Sequence, residues 1–229
     1  MKYIKPFLIL ILLVSCSDEK QISEFENVLG KENSQTLTYL VSDFENDFLK
    51  KNYPNLNTEQ AYRNFLTKLE NNVAVNWKKQ SEQSRKIFDN SKLKLEIYSI
   101  PDSIWIERSP KKRTLSNTGP TIIIKRKSLK SDGTFEFSTS ETSFRYPDSV
   151  NEDSIINSQK RYVAINYFGK YRNALNSVSK HHKFIEKYLY MTELAGILDP
   201  RLVAAEMLNM NVDFSDYFIK RLIVTEIAY

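Results

Sequence analysis

The chain has 229 residues, of which 41% are apolar, 12% aromatic and 27% charged, the composition of a folded globular body. A formal charge of +5 is too slight to imply a nucleic-acid partner, and five glycines leave little material for a glycine-rich cofactor fold. A single cysteine excludes a disulfide framework and a thiol pair for redox or metal chemistry.

In chain order, Lys2 and Lys5 come first, followed by an apolar run from Phe7 to Val14. That run is too short to span ~30 Å of hydrocarbon as a helix and has the layout of a secretory signal, so residues 1–15 are expected to be removed. The tetrapeptide Leu13-Val14-Ser15-Cys16 resembles the lipobox of bacterial lipoproteins, in which cleavage falls before the cysteine. The resemblance implies that Cys16 becomes the acylated first residue of the mature chain. It also implies an anchor in the outer membrane, at its periplasmic face or at the cell surface. Two or three acyl chains, at ~0.8 kcal/mol per buried methylene, hold such a protein stably. Ser17-Asp18-Glu19-Lys20 is similar to the short acidic tag behind the lipidated cysteine of Bacteroidota-type surface lipoproteins, with two acids before the lysine. Residues 16–32 are thus expected to be a lipidated N-terminus and polar tether. Loss of Lys2 and Lys5 leaves 31 basic against 28 acidic residues, a net +3, and no nucleic-acid partner is expected of an exported chain.

Residues 33–229 read as one mainly α domain, a helical bundle with a central non-helical insert over 101–158 that forms a short β-hairpin. Leu37, Leu40, Val41, Phe44 and Phe48 lie on one face of an amphipathic helix, with Asn33 or Ser34 as its cap and Tyr53-Pro54 as its end. A second helix opens at Asn57, with Gln60 placed for a capping box and Tyr62, Phe65, Leu66 and Leu69 as its apolar face. A third segment, 77–98, breaks near Asn90-Ser91. Its second half alternates at Leu93, Leu95 and Ile97 as a strand would.

Within the insert, Thr121-Ile122-Ile123-Ile124 reads as a buried strand, Ser131-Asp132-Gly133 as a turn and residues 134–138 as the return strand. Arg108 to Lys130 holds eight basic residues and no acid, whereas Asp132 to Asp153 holds six acids against Arg145 alone. Opposite charges facing each other across the hairpin account for this pattern better than a basic patch for an anionic glycan or headgroup. Asp102-Ser103-Ile104, Asp148-Ser149-Val150 and Asp153-Ser154-Ile155 are each similar to the acceptor sequence of Bacteroidota-type O-glycosylation, which implies sugar on Ser103, Ser149 or Ser154. Asp-Ser pairs also serve turns and helix caps.

Helical periodicity returns at Tyr162, Ile165, Phe168 and Leu175, with a weak point at Gly169, and continues through Phe184, Tyr188, Met191 and Leu198. Asp199-Pro200 is a helix start, and a last helix follows Asp213, with Asp216 near its positive end. Phe214, Phe218, Leu222, Val224 and Ile227 surround that helix almost completely, so it is expected to be central, with the first two helices packed on it.

Chemistry-bearing residues are sparse. His181 and His182 are adjacent and flanked by Lys180 and Lys183, which fits a solvated helix surface and opposes metal binding. Neither a metal site nor a cofactor is expected, and no catalytic set is read from Glu193, Glu206 or the other carboxylates. Trp77 and Trp105 are the candidates for stacking on a ligand. Three classes follow: a non-catalytic interaction or structural protein of the cell envelope, a lipoprotein that binds a glycan or peptide, and a hydrolase of envelope polymer. A cavity lined by tryptophan favours the second, and close buried carboxylates favour the third.

Overall fold

The computed structural model describes residues 18–73, 79–107, 121–143 and 151–229. Two compact units result. The first comprises the described residues up to Lys94 together with Asn173–Tyr229, and the second is Leu95–Arg172.

The first unit is helical. Residues 18–29 form helix α1, where a polar tether is expected. Phe25 and Leu29 are fully buried there, a spacing of four that gives an otherwise polar stretch one apolar edge. Gly30, at φ 88°, separates α1 from α2 (Lys31–Asp43). Asn33 and Ser34 therefore lie inside α2, buried, instead of capping it. The helix continues through a π-helical turn, Phe44–Leu49, and a short α3, Lys50–Asn52, and ends before Pro54 as expected. Helix α4 (Thr58–Glu70) starts on the expected capping box: Asn57 Oδ1 accepts the Gln60 N–H at 2.9 Å, and Gln60 Oε1 accepts the Asn57 N–H at 3.3 Å. Phe44, Phe48, Tyr62 and Phe65 interlock between these helices, with ring centroids 5.1 to 5.7 Å apart.

Helix α5 (Glu82–Asn90) is capped by Ser81. Asp43, at the end of α2, accepts the Ser81 hydroxyl at 2.6 Å and the Ser81 N–H at 3.1 Å, so one carboxylate holds two helices together. Residues 92–97, which alternate like a strand, are instead helix α6 (Lys92–Ile97), with Leu93 and Ile97 buried one turn apart.

The rest of this unit comes from the C-terminal part. Helix α9 (Lys183–Ala195) is followed by α10 (Pro200–Asn209), which begins at Asp199-Pro200 as expected: the Asp199 carboxylate accepts the Arg201 N–H. Helix α11 (Tyr217–Ile223) starts at Asp216, three residues later than expected, because the Asp216 carboxylate accepts the N–H groups of Phe218 and Ile219. It runs on as a π-helical turn, Val224–Ala228, and is buried on nearly all sides. Its central position is as read from the sequence. Helix α2 packs on α11, whereas α4 packs on α10.

The second unit corrects the expected hairpin insert. Its centre is a four-stranded antiparallel sheet in the order β3-β2-β1-β4, formed by β1 (Tyr98–Glu107), β2 (Thr121–Leu129), β3 (Phe135–Ser143) and β4 (Ala164–Ile165). The β2–β3 hairpin and its turn fall where expected, with Gly133 at φ 86°. The strand β1 escapes a periodicity reading because Pro101 and Asp102 interrupt it; the register shifts between Pro101 and Ser103, a β-bulge. Residues 152–159 of the insert form helix α7 (Glu152–Gln159), capped by Asn151. Ile155 of α7 joins Ile122 and Ile124, with Ile104 and Ile106 packed alongside, to make this unit's core. The expected helix over 162–168 is absent: Ala164 and Ile165 pair with Ser99 and Tyr98, and helix α8 (Lys170–Ser179) begins after Gly169. Asn166 fixes that start, donating from Nδ2 to the carbonyls of Leu95 and Leu129 and accepting the Phe168 N–H.

Candidate functional site

Strand alternation places successive residues on opposite faces of the sheet. One face carries Ile104, Ile106, Ile122 and Ile124 against α7. The other therefore carries Trp105 in register with Ile123, then Lys125 and Lys127 on β2, with Phe137 opposite Lys127 and Phe135 opposite Leu129 on β3. Trp105 is 42% exposed, Phe135 45% and Phe137 49%. An antiparallel sheet with one face in the core normally turns polar side chains outward. Here the outward face carries three aromatic rings, together with Ser103, Glu107, Thr139 and Glu141.

Each lysine lies diagonally over a ring. Lys125 Nζ stands 4.6 Å from the Phe137 centroid, and Lys127 Nζ 3.8 Å from the Phe135 centroid, distances at which the ring quadrupole attracts the ammonium. The expected cross-strand charge pairing holds at the turn, where Lys130 Nζ lies 3.8 Å from Glu136 and 4.0 Å from Asp132. Farther along the hairpin the lysines take phenylalanine instead.

No family model, curated protein or solved structure matches this chain.

Of the residues singled out in the sequence, Trp105 lies on this open face. Ser103 is on β1 just past the bulge, exposed and in register with Lys125. Ser154 is exposed in the first turn of α7. Cys16, Trp77 and Ser149 lie outside the described residues. His182 is not on a helix surface: it is the N-cap residue of α9, bonded to Gln21 Oε1 at 2.7 Å, and its ring meets Phe218 edge-on at 4.6 Å. Glu206 is ion-paired with Lys187. Among the described residues, no group of three His, Cys, Asp or Glu side chains is placed to hold a metal, and no helix is long and apolar enough to cross a membrane. A cleft of about 560 Å³ is lined by Glu26, Asn27, Lys31, Ser34 and Thr38, and a second of about 320 Å³ by Glu45, Tyr53 and Asn57 among others. Trp105 belongs to neither.

A second exposed apolar surface lies in the helical unit. Tyr190 and Leu194, one turn apart on α9, are 65% and 70% exposed, and Ile197 and Leu202 follow across the α9–α10 connection. Sequence periodicity misses it, because these side chains lie outside the stripe Phe184, Ile185, Tyr188 and Leu189 that faces the core.

Proposed function

We propose that this chain is a lipid-anchored protein of the outer membrane, cut before Cys16 and acylated there, whose body holds another envelope component without transforming it. The observation that carries the interaction reading is the pair Tyr190 and Leu194, large apolar side chains left in water on one face of α9. Continued by Ile197 and Leu202, they make the kind of apolar surface by which soluble domains meet a protein partner. The N-terminal charge and apolar pattern support the anchor.

A second reading is a lipoprotein that binds a glycan or peptide through Trp105, favoured by the exposure of that indole beside two phenylalanines. The hydrolase reading has less support, since Glu206 is engaged by Lys187.

The test is capture from detergent-solubilised membranes with the parent chain, with Cys16→Ala, and with Tyr190→Asp combined with Leu194→Asp. Cys16→Ala should leave the membrane fraction, and unchanged sedimentation would reject the anchor. The α9 double variant should keep its anchor and its thermal melting but lose a defined partner. Capture of the same proteins by both chains would reject the α9 surface.

A further inference from the structure

We propose that the outer edge of β3 pairs with β3 of a second copy of this chain, antiparallel about a two-fold axis at Thr139, so that two four-stranded sheets join edge to edge.

The two edges of the sheet are unlike. Strand β4 is two residues long, and so short an edge gives an incoming strand little to hold. Strand β3 runs from Phe135 to Ser143 in unbroken register with β2, and among the described residues no strand lies on its other side. Residues 135–141 are all exposed, and β3 contains no lysine, proline, glycine or bulge, the devices that close an edge. Successive residues of a strand turn their N–H and C=O groups to alternate sides, so every second residue of β3 presents both groups outward. Another extended backbone matches that row, whereas a helix or a sugar does not.

The side chains select a second copy. Pairing β3 with itself about Thr139 is the antiparallel register that uses the whole strand, with Phe135 opposite Ser143 of the second copy. On the face that carries Trp105, Phe137 then stands opposite Glu141 of the second copy. Lys125 Nζ already leans over β3, 4.6 Å from the Phe137 centroid, so the incoming carboxylate arrives beside an ammonium. The two-fold axis makes that contact twice. On the opposite face Ser138 meets Ser140 of the second copy and Glu136 meets Thr142, pairs that hydrogen-bond across strands. No carboxylate is set against another. Phe135 and Phe137, 45% and 49% exposed in one copy, each gain a neighbouring strand. The contact is isologous and therefore closes as a dimer.

The experiment uses the full chain with Cys16→Ser, so that an introduced cysteine is its one thiol and no outcome depends on acylation. Sedimentation at rising concentration should show a monomer–dimer equilibrium. Thr139→Cys should form a disulfide dimer on mild oxidation, because directly opposed residues have Cα atoms about 4.5–5.5 Å apart, within disulfide reach. Phe135→Cys should not, since its own counterpart lies eight residues along the strand, roughly 26 Å away at ~3.3 Å per residue. Thr139→Lys and Thr139→Glu should each dimerise about five-fold more weakly, with like charges directly opposed, and an equimolar mixture of the two should recover the dimer. If either charged variant fails to fold, judged by circular dichroism, the cysteine pair decides. A chain that stays monomeric up to its solubility limit overturns the proposal. So does cross-linking of Phe135→Cys as readily as Thr139→Cys, or a mixture of the charged variants no better associated than each alone. Cross-linking of Thr139→Cys in a membrane extract to a different protein, with no dimer of the chain itself, assigns the edge to that protein and equally overturns it.

Discussion

The buried carboxylate of Glu96 accepts the backbone N–H of Lys170 at 2.6 Å, so the last turn of α6 caps the first residue of α8. Gly169, the residue just before that cap, has no room for a side chain. A Cβ on Gly169 would stand far inside 3.0 Å of the Glu96 carbonyl oxygen and 2.8 Å from Asn166 Nδ2.

Gly169→Ala is therefore expected to be among the most damaging small substitutions in the sheet unit. The clash is with backbone, which a rotamer change cannot relieve, and a loss of about 3 kcal/mol or more is expected. Urea denaturation checks this. A midpoint within experimental error of the parent chain would show that the two segments separate easily.

Glu96→Gln separates charge from hydrogen bonding at the same place. Burial pushes the Glu96 carboxyl above its ordinary 4.5, and the bond from Lys170 draws it partly back. The folded chain thus holds this proton to higher pH than the unfolded chain does. The charged form costs stability at neutral pH, and that cost is relieved as pH falls through the raised value. Glutamine keeps an oxygen for the Lys170 N–H and has no such dependence. The parent should gain on the variant as pH is lowered from 7 toward about 4.5, measured as the difference in urea midpoint. A constant difference would place the carboxyl in water.

Lys79 gives the opposite sign at alkaline pH. Its Nζ is buried, donates to the Ile227 carbonyl at 2.7 Å at the end of the terminal helix, and is pushed down to about 8 by desolvation. Below about 8 the charged form costs stability, and the fold recovers it as pH rises toward 10.5. Relative to Lys79→Met, the parent should gain at most about 1.4 kcal/mol per pH unit across that window. A difference independent of pH would show that the amine keeps its water.

Phe218→Asp tests the centre of the helical unit. Phe218 is buried on α11, with its ring 5.5 Å from Phe25 and 4.6 Å from His182. A carboxylate there is taken out of water among those rings, and loss of about 4 kcal/mol or more should unfold the unit. Unaltered thermal melting would contradict the burial of this face.

Helices α2, α4, α10 and α11 were legible in the sequence because their signals lie between near neighbours, whereas α1 fell in the expected tether and α7 in the expected non-helical insert. The Asn57–Gln60 box, the Asp199-Pro200 start and the apolar face of α11 are all contained within a few residues. Two local signals misled. Asn33 and Ser34 look like caps until α1 precedes them, and Leu93, Leu95 and Ile97 alternate like a strand although the chain is helical there. Of the candidate site, Trp105 and Ser103 were singled out, since nothing in spacing says that Phe135 and Phe137 face the same way as Lys125 and Lys127.

By itself, the sequence determined the mainly helical character, the central terminal helix and the β2–β3 hairpin, because capping, periodicity and turn chemistry act over short range. The tertiary structure alone decided that β1 and β4 complete a four-stranded sheet, that the Glu96 backbone passes close beside Gly169 where a Cβ would stand, and that aromatic and cationic side chains from three strands share one face. Those outcomes depend on strand register and on contacts between residues up to 74 apart, such as Glu96 and Lys170, which no local pattern encodes.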